Sequence, residues 1–266
     1  MTFSKALAAA ALATSLTWAA PGFALDLIAL TANNQLLLMT DTQPGSARSL
    51  DITGVDTKVL GIDIRPADLA LYAVTATGTI YTIDIKTGAA TRKSKTSERL
   101  EAVDNLVVDF NPQADRLRVM ASNGQNLRVD VETGAAVIDG RLAYDKSDTH
   151  AGEEPGVLAG AYINSFKGTK YTQLFDVDSK NGMYVVQDPP NDGVLKTVGP
   201  TGLAKGTKIE AIDIFTDPKD EYHGFAAAGG ALYTFSVAKG AMSRVGKIAS
   251  PAGADVIDIA TPVVNR

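Results

Sequence analysis

A short turn signature recurs along this chain and restricts its fold more than any other feature. Apolar–polar alternation ends in Asp, and Gly stands four positions later. The clearest copies are Asp84-Ile85-Lys86-Thr87-Gly88 and Asp130-Val131-Glu132-Thr133-Gly134. Asp178-Ser179-Lys180-Asn181-Gly182 reads as the next copy, Asp41-Thr42-Gln43-Pro44-Gly45 as an earlier one, and Ser236-Val237-Ala238-Lys239-Gly240 as a degenerate last one. The first four lie about 45 residues apart, the length of a four-stranded propeller blade. The chemistry suits tight turns between strands, because Gly accepts positive φ and Asp or Asn bonds the nearby backbone.

Strand patterns precede the turns. Leu69–Val74 and Thr79–Ile83 flank Ala76-Thr77-Gly78, and Arg116–Met120 and Gln125–Val129 flank Asn123-Gly124, a favoured hairpin dipeptide. A further strand leads each pair: Leu60–Ile64, Val107–Phe110, Ala161–Asn164 and Ala211–Ile214. The first repeat lacks its leading strand, and Val256-Ile257-Asp258-Ile259 supplies one at the other end of the chain. Such a permutation closes a ring and removes its open edges. The expected fold is therefore all-β: a closed β-propeller of about five four-stranded blades, closed by the C-terminal strand and filling residues 25–266 as a single domain.

Lys5, the apolar run Ala6–Ala20, the break at Pro21 and the small residues of Gly22-Phe23-Ala24 read as a secretory signal peptide, residues 1–24, cleaved after Ala24. That run is too short to span a bilayer comfortably, and no later one approaches the needed length. The expected location is periplasmic or secreted. The 266 residues contain no cysteine, which excludes disulfides, thiolate metal sites and a Cys nucleophile. Twenty-five basic against thirty acidic residues give a net charge of −5, which disfavours nucleic acid.

Two blocks resemble a known family. Val108-Asp109-Phe110-Asn111-Pro112 with Arg116–Val119 and Gly124–Arg128 form the first, and Gln187–Gly193 with Leu195–Gly199 form the second. Both are similar to a bacterial exported family, catalogued as a domain of unknown function with a propeller-like repeat. The resemblance covers nearly the whole mature chain. It implies a propeller outside the cytoplasm and carries over no catalytic residue.

The strand-borne acids Asp63, Asp109, Asp213 and Asp258 read as equivalent positions, with Asn164 at the fifth. An oxygen-rich ring of this kind could hold a hard cation such as Ca²⁺. The favoured reading is structural, each side chain bonding backbone donors of its own or the next blade, and no cofactor is expected. The irregular connection 144–156 places Asp148, His150, Glu153 and Glu154 on a long loop of a rigid scaffold, so these four and Asn164 are the ligand-binding candidates. No nucleophile elbow, phosphate loop or zinc helix is present. The sequence favours an exported, non-catalytic binding or scaffold propeller, monomeric, whose partner is a small molecule or a protein it does not identify. The alternative is a calcium-type, metal-dependent propeller hydrolase such as a lactonase.

Overall fold

The computed structural model describes residues 24–101 and 106–265. The expected signal peptide, residues 1–24, lies outside them except for Ala24. Among the described residues the regular structure is strand, apart from short 3-10 turns at Pro44–Ser46, Pro190–Asp192 and Pro251–Gly253. Among the described residues no helix is long and apolar enough to cross a membrane.

The strands form five sheets. Their leading strands touch one another in cyclic order, from Val59–Ile64 through Leu106–Asn111, Val157–Tyr162, Ile209–Thr216 and Val256–Ala260 back to the first. The sheets are the blades of a five-bladed propeller, each with strands a to d running outward from the axis. Blade 1 consists of Val256–Ala260, Asp26–Thr31, Gln35–Thr40 and Arg48–Asp51, and blade 2 of Val59–Ile64, Leu71–Thr75, Thr79–Ile83 and Ala90–Lys95. Blade 3 comprises Leu106–Asn111, Arg116–Ala121, Asn126–Val129 and Ala136–Ile138. Blade 4 comprises Val157–Tyr162, Leu174–Asp178, Met183–Gln187 and Val194–Pro200, and gains a short parallel fifth strand, Ala143–Tyr144, at its outer edge. Blade 5 comprises Ile209–Thr216, Tyr222–Ala228, Ala231–Phe235 and Met242–Lys247.

Side chains alternate across a strand, so each blade offers one face to the preceding blade and one to the next. Leu71 and Ala73 enter the seam with blade 1, whereas Tyr72 and Val74 enter the seam with blade 3. Both faces are covered near the axis, which is why the inner strands read as unbroken apolar runs. The core is accordingly five apolar clusters, one for each seam.

An outer belt of backbone bonds joins the blades. The turn between strands c and d of each blade docks on the end of strand d of the blade before it. The bonds are Ala90 N–H to Thr53 O (2.9 Å), Ser97 to Gly134 (2.8 Å), Gly140 to Asn191 (2.9 Å), Met242 to Thr201 (2.9 Å) and Ala249 to Pro44 (3.0 Å). The turn glycines are required there for two reasons. Gly88 and Gly134 have φ of 76° and 79°, and a Cβ on either would lie 2.0 Å or less from a carbonyl oxygen of the preceding blade. Asp178–Gly182 differs from the sequence expectation, because it joins strands b and c of blade 4. The true c–d turn of that blade is Asp188–Gly193.

Strand Val256–Ala260 pairs antiparallel with Asp26–Thr31, as the permuted repeat requires. Deleting the chain from Asp255 onward removes these backbone bonds, at about 1 kcal/mol each, and the burial of Val256, Ile257 and Ile259, at about 1.5–3 kcal/mol each. That approaches the whole stability of an ordinary domain, so calorimetry of the truncated protein should show no cooperative transition near that of the parent. An unchanged transition would contradict a closed ring.

Candidate functional site

The acids of the inner strands come first, because those strands lie nearest the axis. Strand register pairs Asp63 with Tyr72, Asp109 with Arg118 and Asp213 with Phe225, which makes these three acids equivalent. The same position is Ala161 in blade 4, opposite Phe175, and Ala260 in blade 1, opposite Ile28. Two sequence assignments are corrected by this register. Asn164 lies three residues beyond the ring position, past the end of its strand. Asp258 lies two residues before it, on the same face but one layer along the axis.

Each of the four acids reaches the following blade. Asp63 Oδ2 accepts the N–H of Phe110 at 2.7 Å, Asp109 Oδ1 that of Tyr162 at 3.1 Å, and Asp213 Oδ2 that of Thr261 at 2.5 Å. Asp258 makes the equivalent bond from its own layer, to Ile62 at 2.7 Å. The second oxygens of Asp63, Asp213 and Asp258 accept the N–H of the next residue in their own strand, at 2.6–2.9 Å. At the seam of blades 4 and 5, where the acid is missing, Asn164 N–H donates to Thr216 Oγ1 at 3.0 Å.

Burial pushes all four carboxyls upward. Asp63 and Asp109 rise well above the usual range, burial leading, with the charge of Asp213 adding to the first and that of Asp63 to the second. Asp258 rises well above it too, and Asp213 to about 6, burial again leading. The ring does not converge on a point. Among the described residues, the trio of His or carboxylate side chains whose ligand atoms approach within 4.8 Å is Asp217, Glu221 and His223, on the surface of blade 5, with no ring acid in it.

The loop candidates are anchored rather than free. Asp148 accepts the backbone N–H and the hydroxyl of Thr197, at 2.6 and 2.9 Å, and the N–H of His150 at 2.9 Å. His150 is mostly covered, its ring 5.3 Å from that of Tyr144 and its Nδ1 3.3 Å from the Glu153 carboxylate. Glu153 and Glu154 are exposed, and Lys180 Nζ donates to the backbone oxygen of Glu154 at 3.0 Å. Asn164 Nδ2 donates to Tyr171 O, and its Oδ1 accepts from Tyr222. The loop enters strand Val157–Tyr162 and Asn164 follows its exit, so about 20 Å of extended chain separates them. The structure brings the four loop residues together and leaves Asn164 at the opposite end of the blade.

A feature the sequence reading missed lies between blades 1 and 2. A groove of about 490 Å³ opens there, lined by Ile28, Leu38, Ile64, Ile85 and Pro262, with Asp26 at its rim. Its origin is visible in the repeat. The strand-b position held by Ile28 carries Tyr72, Arg118, Phe175 and Phe225 in the other blades. At two of those seams the large ring covers the apolar residue of the next blade's turn. Val131 is 2% exposed in the cluster with Tyr72, and Val237 is 7% exposed in the cluster with Phe175. Their counterpart Ile85, facing the smaller Ile28, is 44% exposed. Aligning the second strands of the repeats is the signal that would have found it.

The family described as a domain of unknown function, DUF4394, matches residues 35–260. The chain belongs to this family. No curated protein matches it. A crystallised structural-genomics protein of unknown function from Bacteroides thetaiotaomicron is 18% identical with a TM-score of 0.52, over 91% of this chain and 65% of that one. The chain thus spans a little under two thirds of that protein, and the likeness is one of fold. A computationally designed protein, Ika8, gives 12% identity and a TM-score of 0.37, over 82% and 60% of the two chains.

One buried acid of this DUF4394 chain stands outside every network described. Asp176, on strand b of blade 4, is fully buried and neither carboxyl oxygen has a hydrogen-bond partner. Burial raises it to about 8, against the opposing positive charge of Arg118. The folded chain therefore keeps this proton where the unfolded chain releases it. Its contribution to stability is greatest below about pH 4 and falls with rising pH, by about 1.4 kcal/mol per unit, up to the folded pKa. In urea denaturation, the stability of Asp176→Asn relative to the parent should grow between pH 4 and pH 8. A difference independent of pH would contradict this account.

Proposed function

We propose that this protein is an exported, non-catalytic binding propeller. The observation that carries the reading is the use of the inner acids. In an axial metal hydrolase they would point free oxygens at a common centre. Here their oxygens accept backbone N–H groups across the seams and within the strands, and no three of them converge. Groups committed to holding blades together are poorly placed to hold a cation and polarise a substrate as well. The groove between blades 1 and 2 gives a binding module an open, largely apolar surface of ligand size.

The test is turnover against stability. Esters and lactones incubated with the purified protein and excess Ca²⁺ should hydrolyse at the background rate. Asp63→Asn should lower the melting temperature without removing any activity. Calcium-dependent turnover lost in Asp63→Asn would overturn the reading in favour of a hydrolase.

The export half of the proposal makes a specific prediction at residue 25. The backbone N of Leu25 donates to Asp41 Oδ1 at 2.9 Å, and Asp41 N–H donates back to Leu25 O at 2.9 Å. Cleavage after Ala24 would turn that amide into an α-ammonium beside a carboxylate, strengthening the contact by charge. Protein recovered from the periplasm should begin at Leu25 by intact mass. Asp41→Asn should destabilise this form by about 1 kcal/mol, and should cost less in a form carrying extra residues before Leu25. Recovery of a chain starting at Met1 would refute export by cleavage.

A further inference from the structure

We propose that the groove between blades 1 and 2 binds a small organic cation bearing a planar ring, the ring entering beside Ile28 and the cationic group resting at Asp26. This deepens the reading of the chain as a binding propeller and rests on it.

The propeller repeats its seams, so the other four act as internal controls. At the position of Ile28 each places a larger group, and every one of them is planar: the rings of Tyr72, Phe175 and Phe225 and the guanidinium of Arg118. These groups pack against further rings or their polar ends. Tyr72 meets Phe110 edge-on at 5.1 Å, Phe175 stacks on Tyr184 at 5.2 Å, and Arg118 Nε donates to the hydroxyl of Tyr162 at 3.2 Å. A space whose counterparts the fold fills with flat side chains has the shape of a flat group.

Size and polarity agree with a small ligand. About 490 Å³ lies within the ordinary range of small-molecule sites, and the lining is apolar with a few polar groups at one side. Asp26 is the only charged side chain on that lining and is exposed, so the charge complement is positive. At a neighbouring seam, where the ring of Tyr72 stands in place of Ile28, the Arg65 guanidinium lies 5.7 Å from the centre of that ring and pairs with the carboxylates of Asp68, Asp115 and Glu132.

The test uses 5-fluorotryptamine as the cationic probe and 5-fluoroindole as its neutral counterpart, both followed by fluorine NMR with the mature protein. The parent should shift and broaden the amine signal at submillimolar to millimolar concentrations, and should hold the amine more tightly than the indole. Ile28→Phe restores the side chain typical of the other blades. It should lower affinity for both probes at least tenfold while leaving the melting temperature equal or higher. Asp26→Asn should weaken the amine at least threefold and leave the indole unchanged. If Ile28→Phe does not fold, Ile85→Lys at the exposed rim takes its place, with a tenfold loss of the amine expected. Failure of the parent to perturb either probe at millimolar concentration, or undiminished binding by the groove variants, would overturn the proposal. Equal affinity of the parent for amine and indole would overturn its cationic part. The turnover and export measurements stand apart from these titrations, so a failure here leaves the broader reading to its own test.

Discussion

A carboxylate on one inner strand accepting a backbone N–H of the next is the bond on which the ring depends. Strand a is the edge of its sheet, and its axis-facing N–H groups have no ladder partner of their own. A buried donor left unpaired costs about as much as a lost hydrogen bond, and several such donors would line the channel. Asp63, Asp109, Asp213 and Asp258 satisfy them and fasten the blades in the same act. Crowding four acids at the axis has its own cost, seen in carboxyls held above their usual range by burial. The outer belt of turn-to-strand bonds needs no charge, since backbone meets backbone there.

Between the two belts the seams are free to differ. Each closes around one layer in which strand b of a blade faces strand a of the next. Tyr72 against Phe110 makes that layer aromatic at one seam, and Arg118 against Tyr162 makes it polar at another, with Asn126, Asp139 and Asn191 completing the partners of the guanidinium. Ile28 with Ile64 makes it merely aliphatic, and the volume not filled becomes a groove. The belts are what permit this. A seam that loses packing in its middle is still held at both ends.

The fold was largely legible because its strongest signals are local. Alternation, turn glycines and a displaced leading strand each follow from a few adjacent residues, and together they led to five blades and closure by Val256–Ala260. Register was less legible. Asp258 and the true ring position, Ala260, differ by two residues and lie on one face of the strand, so alternation cannot separate them. Asp178–Gly182 carries the residues of a c–d turn but sits between strands b and c, since the same turn chemistry serves either hairpin. Asn164 closes the expected strand Ala161–Asn164, whereas the strand ends at Tyr162 and its ring position is Ala161, a residue with no polar group to mark it. The candidate site was the least legible part. The loop residues Asp148 and His150 announce themselves by polarity, but the groove is defined by a side chain smaller than its counterparts, which no motif marks.

Blade 1 is assembled from both ends of the covered chain, and this bears on the order in which the molecule can form. Strands b to d of that blade emerge first during synthesis, with Ile28 and Leu30 on one face and Leu27 and Ala29 on the other. Blades 2 to 5 can be completed one after another as they appear, each from contiguous sequence. The inner edge of the opening hairpin stays unpaired until more than two hundred further residues have been made, because its neighbour there is strand Val256–Ala260. Contacts so distant in sequence form slowly, and apolar strands left waiting invite pairing with other chains. The ring's last strand therefore acts as a latch in time as well as in space: until it is made, the opening strands have blade 2 on one face but no partner along their inner edge.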